Sequence, residues 1–409
     1  MNKTGKNIDI EFLRAAAILM ILFQHGEVLV LRPDSVYWEV RRHLDFWGSV
    51  DLFFCVSGFI ITRGLIEGYP VGSGDRSHLI TRQLGWRRTA FSFWIRRAWR
   101  LWPSAWLWIV LAIGCAFLYN RSGIFGDPQR MLRDGLAAFL HLANFHWAGC
   151  YMNAASTCNF VPATDVHTHL PTGWALAIYW SLSLEEQFYF LVPLLLFFLT
   201  RRQVAAGLGL GLLALAMVVR DPLGLAWFVR VDSILVGIAI GWASTLPQVQ
   251  ALQRRVAWTR WRWLIRAVAG VLLLCISTLA LPQHAARPGT VTLIALCSGG
   301  LVCIASLNHD LLIPASGLRQ RFFLWVGARS YCIYLCHMVA YFLTIEIAYR
   351  LGLLDSSAWW WASALVAGTF MALFAEATAR LVESPLRRHG HRRAARWLEA
   401  PSGVQRSSP

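Results

Sequence analysis

The sequence predicts an all-α, polytopic integral membrane bundle of about ten transmembrane helices, with both termini on the cytoplasmic side. Three observations lead there. Of 409 residues, 56% are hydrophobic and only 15% charged, and the mean hydropathy is +0.48, unlike an ordinary soluble domain. Apolar runs of membrane-spanning length recur almost to the C-terminus. Between them arginine alternates, dense in every second connection and sparser in the others, which orients the chain with its N-terminus inside.

A formal net charge of +16 does not imply nucleic acid as a partner. The arginines lie between apolar runs, and no basic, aromatic-bearing soluble domain is present to hold one. Beside membrane spans they fit the positive-inside rule and attraction to anionic lipid.

The first span is expected at about residues 10–31; it lacks a small-residue cleavage site and reads as a signal anchor. The second covers about 47–66, with Ser57 and Gly58 suited to close helix packing. The third, about 100–119, has Pro103 where a first helical turn tolerates it. The loop from Asn120 to Thr172 is too long for a simple connection and holds His141, His146, His167 and His169, making it a candidate binding lid. Residues 131–147 within it are apolar enough for an interfacial or re-entrant helix. Cys150 and Cys158 share that loop, placed outside the cytoplasm, where a disulfide persists. The remaining spans are expected at about 176–199, a short 204–219, 226–244, 264–282, 290–307, 322–347 and 358–380. No internal repeat supports the inverted symmetry of many secondary transporters. Residues 1–388 thus form one membrane domain. Residues 389–409, rich in Arg, Ser and Pro, are expected as a disordered cytoplasmic extension.

Ionisable residues at membrane depth are costly and usually face a bundle interior or a wet cavity. Arg14 and His25 are eleven residues apart in the first span. That is close to three helical turns, so both fall on one face, roughly 16 Å apart along the axis. His25 suits a general base, against the plainer reading of a packing histidine. Asp51 in the second span needs a cationic or hydrogen-bonding partner, for which Arg14, Arg97, Arg100 and His25 are candidates; a structural ion pair competes with a catalytic role. Arg97 and Arg100, spaced i, i+3 and bracketed by Trp99 and Trp102, suit a phosphate clamp at the cytoplasmic surface, whereas Arg96 reads as a membrane anchor.

Glu185 and Glu186 open the fourth span and point about 100° apart, so the two meet different surroundings and one pairs within the bundle. Arg230 and Asp232 are candidate partners of each other or of Glu186. His337 is a weaker second candidate for catalysis. No metal cluster, nucleotide-binding loop or nucleophile elbow stands out.

These stretches together resemble the membrane-bound acyltransferase 3 family, which includes bacterial O-acetyltransferases of lipopolysaccharide O-antigen, exopolysaccharides and nodulation factors. The resemblance rests on Arg14 with His25, VDLFF at Asp51 followed by SGF, the Arg97/Arg100 pair, WSLSLEEQFY, RVDSILVG, SYCIYLCH and VESPLRR. Their order and spacing carry it, since each alone is weak. It implies transfer of an acyl group, usually acetyl, from cytoplasmic acyl-CoA to a carbohydrate hydroxyl at the outer face of the bacterial inner membrane. On that resemblance Arg97 and Arg100 hold CoA phosphates, His25 is the base or a transient acyl carrier, and Arg14 supports the donor. Asp51 and Glu186 are carried as buried acids of the catalytic set. Acetyl-CoA is then the donor substrate with no metal, and acyl-CoA, a carbohydrate acceptor and membrane lipid are the partners. Cys55, Cys336 and Met338 depart from the commoner pattern as packing changes. The chain stops soon after its last helix, so a member without the hydrolase-like domain of some relatives is expected. Rival readings are acylation of a small molecule such as a macrolide or a glycolipid and, in a different class, a glycolipid transporter or flippase.

Overall fold

The structure is a computed structural model that describes residues 7–30, 34–70, 77–80, 85–152, 158–159, 173, 175–222, 224–256, 258–313, 317–354, 356 and 359–399. Each expected span contains a helix: α1 (Ile8–His25), α2 (Ser49–Gly68), α3 (Gly85–Leu118), α4 (Tyr179–Phe198), α5 (Arg201–Ala216), α6 (Asp232–Ala243), α7 (Arg262–Leu279), α8 (Thr290–Ser306), α9 (Leu318–Leu351) and α10 (Trp359–Ala377). Among the described residues, seven helices are long and apolar enough to cross a membrane. The other three, α1, α5 and α8, have 18, 16 and 17 residues, and α1 carries Asp9, Glu11 and Arg14. The described residues contain no strand beyond one isolated bridge between His78 and Thr200, so the chain is an all-helical polytopic membrane protein.

Small residues set the closest helix crossings, as expected where backbones rather than side chains must meet in lipid. A Cβ on Gly237 of α6 would lie 2.2 Å from the Cys55 carbonyl oxygen of α2, and one on Gly58 would lie 2.5 Å from that of Ile234. At the second crossing, a Cβ on Gly327 of α9 would lie 2.1 Å from the Glu11 carbonyl oxygen of α1. From there α1 and α9 run the same way, bringing His25 and His337 level at the other end of the pair.

Four expectations are corrected. Residues 131–147 do not form one helix: Pro128–Phe139 and Ala143–Met152 are separate, broken at His141, whose φ of 55° no helix accommodates. Residues 389–399 are not disordered, because a π-helix at Thr378–Glu383 joins α10 to a further helix, Ser384–Glu399, that packs on α3. Asp51 does not pair with Arg14, Arg97, Arg100 or His25. Its Oδ2 accepts from Arg230 Nε at 3.2 Å and its Oδ1 from Ser233 Oγ at 3.1 Å, both across the α2–α6 crossing. Asp232 in turn pairs with Arg220 at 2.8 Å and Thr292 at 2.6 Å, so Arg230 and Asp232 bond neither each other nor Glu186. His167 and His169 lie outside the described residues.

Candidate active site

Two cavities meet inside the bundle. The inner one, about 110 Å³, lies toward the arginine-rich end and is lined by Arg14, Ser57, Arg97, Arg100, Glu185 and Tyr189, among others. The outer one, about 410 Å³, is lined by His25, Gln24, Glu27 and Arg230 and by the rings of Trp47, Trp180 and Trp227. Ile21, Val50 and Tyr334 line both and form the septum between them. Helix α1 thus presents Arg14 to one chamber and His25 to the other. Tyr334 is fixed there, donating to the Ile178 carbonyl at 2.8 Å and lying 2.7 Å from Ser181 Oγ.

In the inner cavity, Glu185 accepts hydrogen bonds from Ser57 and Tyr189. Arg97 lies over the Tyr189 ring, 4.9 Å from its centroid. Arg14 pairs with Glu11 at 3.1 Å. Arg100 keeps a buried Nε without a hydrogen bond among the described residues, and the Glu383 carboxylate stands 4.0 Å off. A guanidinium N–H without a hydrogen bond beside two further arginines is what an anionic ligand would complete.

His25 lines the outer cavity and is bonded to a second histidine, His337, fully buried behind it. Nδ1 of His337 lies 2.7 Å from the Tyr334 carbonyl oxygen, which can only accept, so Nδ1 carries the proton and Nε2 the lone pair. That lone pair faces His25 Nδ1 at 2.9 Å, which makes His25 Nδ1 the donor. The neutral His25 is therefore held in the tautomer whose Nε2 is unprotonated, and no group among the described residues bonds that nitrogen. Arg230 forms part of the wall, with Trp227, Trp180 and Trp47 centroids at 4.3, 4.6 and 5.0 Å from its guanidinium carbon. Arg41 gathers the rim, at 2.9 Å from Asp45 and 3.7 Å from Glu27.

Of the residues the sequence singles out, Arg14, Arg97 and Arg100 line one chamber and His25 the other, while two of the carboxylates sit elsewhere. Asp51 is fully buried against Arg230 and lines neither cavity. Glu186 also lines neither: its Oε2 accepts from Trp102 Nε1 at 3.0 Å, and the acid facing the inner cavity is its neighbour Glu185. Periodicity separates the two glutamates by about 100° but does not say which way either one faces. His337, the weaker second candidate, is the residue that bonds His25, and its signal was a second histidine at membrane depth.

Beside the outer loop helices, Asp134 Oδ1 lies 2.8 Å from His146 Nε2, and burial pushes the Asp134 carboxyl above its usual range. Cys150 and Cys158 are joined by a disulfide. With His146 they make a metal-type grouping that spacing alone had not signalled, although the disulfide occupies both sulfurs.

The profile of a family described as an acyltransferase domain matches residues 7–375. The chain is 27% identical over 391 residues to the peptidoglycan O-acetyltransferase OatA of Listeria monocytogenes, covering 88% of this chain and 55% of that protein. It is 24% identical over 402 residues to a Staphylococcus aureus protein named provisionally as an O-acetyltransferase, covering 92% and 57%. It is also 24% identical over 384 residues to a Bacillus subtilis protein named provisionally as a peptidoglycan O-acetyltransferase, covering 88% and 55%. The chain thus spans little more than half the length of these relatives. No solved structure matches it. With the family profile covering most of its length, the chain belongs to the acyltransferase 3 family.

Proposed function

We propose that the protein transfers an acyl group, most simply acetyl, from cytoplasmic acyl-CoA to a hydroxyl of a cell-surface carbohydrate across the bacterial inner membrane. The observation that carries the reading is the division of the site: three arginines line one chamber, an unprotonated His25 Nε2 lines the other, and one septum separates them. CoA is too large and too highly charged to cross a bilayer, but its acylated arm is thin. The arginines bind the nucleotide phosphates at the cytoplasmic side while the thioester reaches toward the septum.

His25 Nε2 then takes the proton of the acceptor hydroxyl as its oxygen attacks the thioester carbonyl carbon. The carbon–sulfur bond breaks, the CoA thiolate leaves with the electron pair, and the proton held on His25 passes to that thiolate, returning His25 to its neutral form. His337 acts as a positioning residue: it accepts from His25 Nδ1 and holds the productive tautomer. The three tryptophans offer flat apolar faces and Gln24, Glu27 and Arg230 offer hydrogen bonds, a lining suited to a sugar ring. The name of the Listeria relative makes peptidoglycan the first acceptor to test, with lipopolysaccharide and exopolysaccharide after it.

The deciding experiment incubates the purified, reconstituted protein with radiolabelled acetyl-CoA and cell-wall or surface polysaccharide, and compares wild type with His25→Ala. His25-dependent appearance of an O-acetyl signal by NMR supports the assignment. A glycolipid flippase would move its substrate without consuming acetyl-CoA, and that outcome would replace the reading.

A further inference from the structure

A third cavity, about 220 Å³, opens beside the inner one at the arginine-rich end and shares Ile60, Arg97 and Arg100 with it. The two thus adjoin across these three residues. Its remaining polar lining is Arg96 and His391, so four cationic or basic side chains and no carboxylate face one space. The Glu383 carboxylate, 4.0 Å from Arg100, compensates part of this charge, and an anionic ligand would compensate the rest.

The geometry is built rather than incidental. Arg96 is anchored by an Nη2 bond to the Tyr69 hydroxyl at 3.3 Å, and that hydroxyl is bonded in turn to Ser92. His391 comes from the helix Ser384–Glu399, far along the chain. That helix is seated on α3 by a close approach: a Cβ on Gly390 would lie 2.5 Å from Trp99 Cβ, and the His389 and Trp99 ring centroids are 4.5 Å apart. The residue after the contact glycine is thereby held at the edge of the arginine cluster.

We propose that Arg96 and His391, with Arg97 and Arg100, form a phosphate subsite that takes the 3′-phosphate of the CoA nucleotide, so that the C-terminal helix is part of the donor site. This rests on the donor reading above and adds two residues to it. A terminal phosphate monoester carries nearly two negative charges and three acceptor oxygens, which matches several convergent donors better than a single phosphodiester does. An anionic lipid headgroup offers related chemistry at the same surface, and the test separates the two.

The full-length protein in neutral-lipid nanodiscs is titrated by calorimetry with CoA and with 3′-dephospho-CoA. Wild type is expected to prefer CoA by about tenfold or more. Arg96→Ala and His391→Ala should bring that ratio to within about twofold while leaving 3′-dephospho-CoA affinity unchanged, and His391→Lys should restore most of it. That last arm separates lost recognition from a displaced helix. A ratio unchanged in both alanine variants overturns the subsite but not the donor reading. Wild type that binds neither ligand overturns both. A ratio unchanged by mutation, with binding that varies instead with phosphatidylglycerol content, reassigns the cluster to lipid and overturns the proposal.

Discussion

His25 Nδ1 and His337 Nε2 lie 2.9 Å apart, 312 residues distant in sequence, with their ring planes only 14° from parallel. Because His337 is itself fixed by the Tyr334 carbonyl, the pair forms a relay of hydrogen bonds with one defined direction. The direction matters more than the distance, since it decides which nitrogen of His25 faces the outer cavity as a base.

His337→Ala should therefore lower kcat by about 10²-fold or more with little change in the donor KM, because the base loses its tautomer control and its support. His337→Gln keeps an acceptor for His25 Nδ1 and should fall less. Steady-state rates on both variants check this, and a wild-type kcat in His337→Ala would remove the relay from the mechanism.

The septum predicts donor selectivity. Val50 is only partly buried, so Val50→Ala opens the constriction at modest cost to packing. The ratio of kcat/KM for butyryl-CoA over acetyl-CoA should rise about tenfold or more, the scale at which a methylene-sized space discriminates. An unchanged ratio would show that acyl length is read elsewhere.

Between the adjacent glutamates, Glu185→Gln should be the more damaging. Glu185 faces the arginine-lined cavity and accepts from Ser57 and Tyr189, so kcat/KM should fall by about tenfold or more. Glu186→Gln can still accept from Trp102 and should stay within about threefold. The opposite ranking would restore Glu186 to the site.

Asp51→Ala strips the partner from a fully buried guanidinium, which costs about 3–5 kcal/mol when one member of a buried pair is removed. The expected result is a large drop in the melting temperature of the detergent-solubilised protein, with activity lost in step. Full stability combined with lost catalysis would instead make Asp51 a member of the catalytic set.

In the outer loop, burial holds His141 down at about 4, below its ordinary value near 6.5. Folding with a neutral histidine contributes stability above pH 6.5 that is lost as pH falls from 6.5 toward 4. His141→Asn tolerates the left-handed backbone at φ 55° and removes the titration, so thermal stability should fall less between pH 6.5 and 4 than in wild type. An identical pH dependence would assign the loss to other groups.

The sequence by itself determined the helices, because a run of apolar residues in lipid has to satisfy its backbone internally and only a helix does so within one segment. It also singled out Arg14, His25, Arg97 and Arg100, because a charge at membrane depth has to be accounted for. What it left open were choices between neighbours of equal chemistry. Whether Glu185 or Glu186 enters the cavity depends on how α4 is rotated against α2 and α3, and that rotation is set by packing, not by periodicity. The partner of Asp51 was decided by Gly237 and Gly58, which bring α6 close enough for Arg230 to reach it. His337 gained its role only when the Gly327 crossing aligned α9 with α1. The composition of the C-terminal segment read as solvated chain, and only the seat of Gly390 on Trp99 turned it into a helix facing the arginine cluster. In each case the sequence named the groups that had to be paired, and close helix approach chose the partner.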